Sequence, residues 1–144
     1  MIRKATMNDL PRLTELALEL WPENAVDTMY YDLGPIMTGG ESVFFLAYRE
    51  DVAVGFAQCQ LRHDYVEGTS TSPVGYLEGI YVRKEDRALG FASQLMKACE
   101  EWARTEGCAE FASDCEIHNE ESLAFHLKLG FKEANRIICF TKHL

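Results

Sequence analysis

The residues most clearly built for chemistry are Arg87-Ala88-Leu89-Gly90-Phe91-Ala92, a turn whose small side chains leave backbone N–H groups open at the start of a helix. The first helical turn has amides without intrahelical partners, and its dipole end is positive, so such a turn can hold a pyrophosphate. Gly90 and Ala92 keep side chains out of the anion's path, and Arg87 can add positive charge. The pattern lacks the Gly-Lys-Ser/Thr of a P-loop and the GxGxxG of a dinucleotide site, which disfavours ATP and NAD.

Elements of both types are needed to position this turn. Met1 to Lys4 reads as a short strand, and Thr6 with Asp9 resembles a capping signal for a helix carrying Leu10, Leu13, Leu16, Ala17 and Leu20. Trp21-Pro22 ends that helix, because the proline ring disfavours helical geometry at the preceding residue. A second helix is expected around Thr28 to Met37. Val43 to Arg49 and Val52 to Arg62 are rich in β-branched and aromatic residues, and Glu50-Asp51 is short enough to join them as a hairpin.

After a loop from His63 to Pro73, Tyr76 to Val82 reads as a core strand, with Gly79 marking a bulge or a close backbone approach. Phe91, Leu95, Cys99, Trp102 and Ala103 recur at helical spacing, predicting a long helix that ends near Gly107. Cys108 to Asp114 is the next expected strand, Glu120 to Leu129 a short helix, and Phe131 to Lys142 a final pair of strands or one bent strand. The fold class is mixed α/β. With 144 residues and no linker or repeat, the expectation is one domain spanning 1–144.

Composition narrows the partners. Twenty-three acidic against 14 basic side chains give a formal charge of −9, which argues against nucleic acid and favours cationic ligands. No apolar run is long enough to span a membrane and the N-terminus lacks a secretion signal, so a soluble cytoplasmic protein with no membrane partner is expected. Five scattered cysteines with no CxxC pair predict reduced thiols and no metal site; four of them fall in apolar stretches expected to be core.

The Arg87–Ala92 turn resembles the Gln/Arg-x-x-Gly-x-Gly/Ala motif of GNAT acetyltransferases, and it follows a strand as that family requires. Asn119-Glu-Glu-Ser-Leu-Ala-Phe-His-Leu-Lys-Leu-Gly-Phe131 is similar to the family's Asn-x-x-Ala/Ser-x-x-Phe-Tyr-x-x-x-Gly-Phe segment. A narrower resemblance, to aminoglycoside 6'-N-acetyltransferases, lies in Arg62 to Val82, Ala112-Ser113-Asp114 and Leu20-Trp21-Pro22. What these resemblances imply is a mainly antiparallel sheet that splays where Tyr76–Val82 and Glu110–Asp114 run parallel, with acetyl-CoA in the opening. By the same carry-over, Leu89, Gly90, Phe91, Ala92 and Ser93 bind pyrophosphate. Ile80, Tyr81 and Val82 pair with pantetheine, and Asn119 completes the cofactor site. The implied activity is acetylation of aminoglycosides, hence antibiotic resistance, with a homodimer through the strands containing Ile137, Ile138 and Phe140. Other amines, or a non-catalytic acetyl-CoA-binding module, are the alternatives.

Acetyl transfer to a protonated amine needs a route for proton removal. Glu78 and Asp114 are the candidate bases, and either could bind substrate cations instead. Glu116 and Glu23 are further acidic candidates, while Trp21 and Tyr65 could pack against sugar rings. Backbone N–H near Tyr81 could stabilise the oxyanion. His126 stands where many family members place a tyrosine acid, so it either donates a proton or is structural. Direct transfer in a ternary complex is expected over an acyl-cysteine.

Overall fold

The computed structural model describes residues 1–144. Five strands form one sheet in sequence order: β1 (Ile2–Lys4), β2 (Ser42–Arg49), β3 (Val52–Arg62), β4 (Val74–Val82) and β5 (Phe111–Ala112). The first four pair antiparallel, and only β4 and β5 run parallel. Four helices complete the chain: α1 (Leu10–Leu20), α2 (Val26–Thr38), α3 (Phe91–Thr105) and α4 (Glu120–Lys128).

Alternation along β2 and β3 sends side chains to two cores, because successive residues of a strand face opposite ways. Phe44, Leu46 and Phe56 pack with Leu13, Leu16 and Leu33 of α1 and α2. Val43, Ala47, Ala57 and Cys59 pack with Leu95, Met96 and Cys99 of α3. The sheet is thus sandwiched between α1/α2 and α3. The expected capping box forms: the Thr6 amide donates to Asp9 Oδ2 at 2.8 Å, at the head of a short 3-10 turn that runs into α1. Arg3 grips the same buried carboxylate, and that bond together with the Thr6 amide pulls the Asp9 pKa down to about 2.

The C-terminal third departs from expectation. The strand foreseen over Cys108–Asp114 is reduced to Phe111–Ala112, and no strand forms anywhere in 131–144. The physical reason is an unformed ladder: beyond the amide of Phe131, which donates to His126 O at 3.1 Å, this tail makes no backbone–backbone hydrogen bond, although β5 is an edge strand. The cysteine reading is corrected as well. Only Cys59 and Cys99 are buried; Cys108 is half-buried, and Cys115 and Cys139 are exposed because they lie in this thinly packed region. No helix is long and apolar enough to cross a membrane.

Candidate active site

Two strands that run parallel and then part create the central feature. β4 and β5 are registered only at Gly75 with Phe111 and Tyr76 with Ala112. From Leu77 to Val82 the β5-facing edge of β4 therefore carries unpaired backbone groups, while its other edge is held by β3. Such an edge can accept an extended, amide-bearing chain as an added strand.

At the far end of β4 the chain turns into α3 with Gly90 as N-cap, at φ +88°, a left-handed conformation that disfavours any side chain. Leu89 is exposed just before it, and Phe91, Ala92 and Ser93 form the first turn with amides that have no intrahelical acceptor. Arg87 folds back, donating from Nε to Val82 O at 2.8 Å, so its charge is fixed beside that turn. Across the opening, Asn119 caps α4: its Oδ1 accepts the Ser122 amide at 3.0 Å, which leaves the side-chain nitrogen free to donate elsewhere. An open strand edge, an anion-ready helix start and a free amide nitrogen fit the pantetheine and pyrophosphate of a coenzyme A arm.

A second group of residues gathers on the other side of the split. The register of β3 and β4 slips between Gln58 and Cys59, whose partners are Gly79 and Leu77, so Glu78 sits unpaired in a bulge of β4. The close approach foreseen at Gly79 is also present: a Cβ there would lie 2.7 Å from the Trp21 ring, and Trp21 in turn packs edge-on against Phe56. Trp21 is therefore half-buried against the strand. The Glu78 carboxylate accepts from Arg62, with Nη2 at 2.8 Å from Oε1 and 3.1 Å from Oε2 and Nε at 3.1 Å from Oε1. Arg62 also stacks on the Tyr76 ring, 3.5 Å from its centroid, and the Tyr76 hydroxyl donates to Asp114 Oδ2. Burial, together with that bond, raises the Tyr76 pKa well above the usual phenol value.

Glu78 and Tyr65 both line an open cleft of about 670 Å³ with Glu41, Gln60, Leu61, Arg62, His63 and Asp64. Asp114 joins this group through Tyr76, whereas Glu23 and Glu116 are exposed and make no side-chain hydrogen bond or ion pair. The His126 ring is fully engaged. Nδ1 lies 2.7 Å from Ser122 O, an atom that only accepts, so Nδ1 carries the proton of the neutral ring; Nε2 then accepts from Ser113 Oγ at 2.8 Å.

Arg62, Tyr76 and Ser113 were not singled out by sequence reasoning, although all three lie in the quoted segments. The available signal was the spacing of Tyr76 and Glu78, two apart on a strand, with a cation at the end of the neighbouring strand.

Comparison with known proteins agrees with this geometry. The acetyltransferase (GNAT) family profile matches residues 10–131. An aminoglycoside N(6')-acetyltransferase type 1 of Stenotrophomonas maltophilia is 40% identical over 140 residues, covering 96% of this chain and 90% of the relative. The protein of the same name from Salmonella typhimurium LT2 is 38% identical over 141 residues, covering 98% and 97%. Among solved structures, AAC(6')-Iy in complex with the bisubstrate analogue CoA-S-monomethyl-acetylneamine superposes with a TM-score of 0.96 at 38% identity, covering 100% of this chain and 98% of that one. Apo AAC(6')-IG from Acinetobacter haemolyticus gives 0.95 at 35%, covering 100% and 99%. The parted parallel strands, the glycine-capped helix start and full-length similarity at this level lead to one conclusion: the chain belongs to the GNAT acetyltransferase family and, within it, to the aminoglycoside N(6')-acetyltransferases.

Proposed function

We propose that this chain, acting as one domain over 1–144, transfers the acetyl group of acetyl-CoA to the 6'-amine of aminoglycosides by direct attack in a ternary complex. The observation that carries the reading is the parting of β4 and β5 after Tyr76 and Ala112, with a coenzyme-shaped edge and helix start on one side and an acidic cleft on the other. Acetyl-CoA supplies the activated acyl group. Ile80, Tyr81 and Val82 would hold its pantetheine by backbone pairing, Leu89 to Ser93 its pyrophosphate with Arg87 alongside, and Asn119 a pantetheine carbonyl.

Glu78 and Asp114 divide the acceptor-side work. Both oxygens of Glu78 are engaged by Arg62, so we assign it to electrostatic binding of the substrate's ammonium groups. Asp114 uses only Oδ2 for Tyr76 and is exposed, leaving Oδ1 to take the amine proton directly or through water. Both nitrogens of the His126 ring are engaged, by Ser122 O and Ser113 Oγ, so we assign it to holding Ser113 rather than to protonating the departing thiolate. Tyr65, at 76% exposure, would pack on a sugar ring, and Trp21 would back Glu78 through Gly79; Glu23 and Glu116 would add only long-range attraction. A reduced cytoplasmic setting suits the free thiols. Pairing of two copies through the tail, giving a homodimer, suits the exposed Ile137, Ile138 and Phe140.

The test is release of CoA thiol from acetyl-CoA with kanamycin-type acceptors that carry a 6'-amine, beside analogues with a 6'-hydroxyl, polyamines and a lysine peptide. Turnover confined to the 6'-amines is expected. Asp114→Asn should lower kcat by about 10²–10⁴-fold, and Glu78→Gln should mainly raise the acceptor KM. Activity on polyamines alone would discard the aminoglycoside reading.

A further inference from the structure

The acceptor side of the site holds two carboxylates, and one cation touches the fixing of both. Arg62 closes β3, opposite Val74 of β4, and its side chain runs along β4 past Tyr76 to Glu78. On Glu78 it makes three N···O contacts of 2.8–3.1 Å, the fork that a planar guanidinium offers a carboxylate. With its face it covers the Tyr76 ring at 3.5 Å. That ring is wedged among Val66, Val74 and Ala112, so the phenol is aimed at Asp114 and cannot swing away without opening this small apolar cluster.

Two carboxylates serving one amine repel each other, and a permanent cation paired with one of them offsets that repulsion. Neither would keep its place alone: Glu78 stands in a bulge, and Asp114 lies just beyond the two registered residues of β5. The polar and ring partners of Arg62 are Glu78 and Tyr76, neither of them assigned to the cofactor.

We propose that Arg62 is a positioning residue that locks Glu78 directly, and Asp114 through Tyr76, into one acceptor-binding unit, and so sets acceptor affinity and turnover independently of acetyl-CoA binding. The inference rests on the acetyltransferase reading of the site. Lysine cannot replace the residue, because an ammonium group provides neither the fork nor the flat face.

The experiment is steady-state kinetics of wild type, Arg62→Met, Arg62→Lys and Tyr76→Phe, varying acceptor and acetyl-CoA in turn. Thermal melting serves as the check on folding. Arg62→Met should raise the acceptor KM about 10-fold and lower kcat about 10–100-fold, the scale of loss for a misplaced reacting group. Its acetyl-CoA KM should stay within about twofold, since binding of that substrate uses other residues. Arg62→Lys should recover less than about a third of the loss. Tyr76→Phe keeps the Arg62–Glu78 pair, so its acceptor KM should hold while kcat falls about 10-fold. Equal rises in both KM values, full rescue by lysine, or wild-type kinetics in Arg62→Met would overturn the proposal. If Arg62→Met does not fold, Tyr76→Phe decides alone, and an unchanged kcat there overturns it. Wild-type turnover on the 6'-amine panel is read separately: should the enzyme accept only another amine, the variants are compared on that amine, so the two readings fail independently.

Discussion

The two ends of this molecule are built to different standards. All 33 buried residues lie at or before Ala103, and not one lies beyond it. The earlier part supplies two sealed cores on either face of a four-stranded antiparallel sheet. The later part contributes β5 of two residues, a helix α4 with no buried residue, and a tail with exposed Ile137, Ile138, Phe140 and Leu144. Yet the candidate site draws on both, with Glu78 from the first and Asp114, Asn119 and His126 from the second. A rigid wall thus faces a lightly anchored one, and lightly anchored elements are those that open and move most readily.

Stability measurements can break this contrast. Phe56 is fully buried between β3 and α1, so Phe56→Ala should cost about 3–5 kcal/mol by urea denaturation. A smaller effect is expected from acid. Asp9 has its pKa lowered from 3.8 to about 2, so its contribution is complete above pH ~4 and is lost as pH falls through about 2; the unfolding free energy should drop by about 2 kcal/mol across that window. Asp9→Asn should flatten the change, and an unaltered acid profile in that variant would remove Asp9 from the account. The smallest change in fold stability is expected in the tail, where Phe140→Ser should shift the unfolding free energy of the isolated chain by less than about 0.5 kcal/mol. The same substitution should halve the particle mass in equilibrium sedimentation if two copies share this segment. A large loss of monomer stability from Phe140→Ser would mean that the two ends are not so different after all.

The contrast also explains what could be read from residues alone. Helix α3, the β2–β3 hairpin and the Thr6–Asp9 capping box follow from periodicity and local chemistry, because each satisfies its own hydrogen bonds or buries one continuous face. The apolar run Ile137-Ile138-Cys139-Phe140 within Phe131 to Lys142 signals a strand as well. A strand, however, needs a partner edge, and no periodicity states where that edge is or to which copy it belongs. In the candidate site, Glu78, Asp114 and the glycine-capped turn into α3 could be singled out from type and position. Arg62 and Tyr76 could not, since what marks them is contacts between neighbouring strands, and the engagement of both His126 nitrogens depends on how α4 is set against the end of β5.

The bulge at Glu78 has a wider consequence for how such an enzyme can change. Side chains of a regular strand are locked in phase, so altering the face presented at one end constrains the other. An extra residue at 78 decouples the two halves of β4: 74–77 and 79–82 keep separate registers against β3. The half that would grip the cofactor is thereby insulated from the half that meets the acceptor. Natural or laboratory selection could remodel which amine is recognised, at Tyr76, Glu78 and their neighbours, while the ladder that would carry the thioester stays intact.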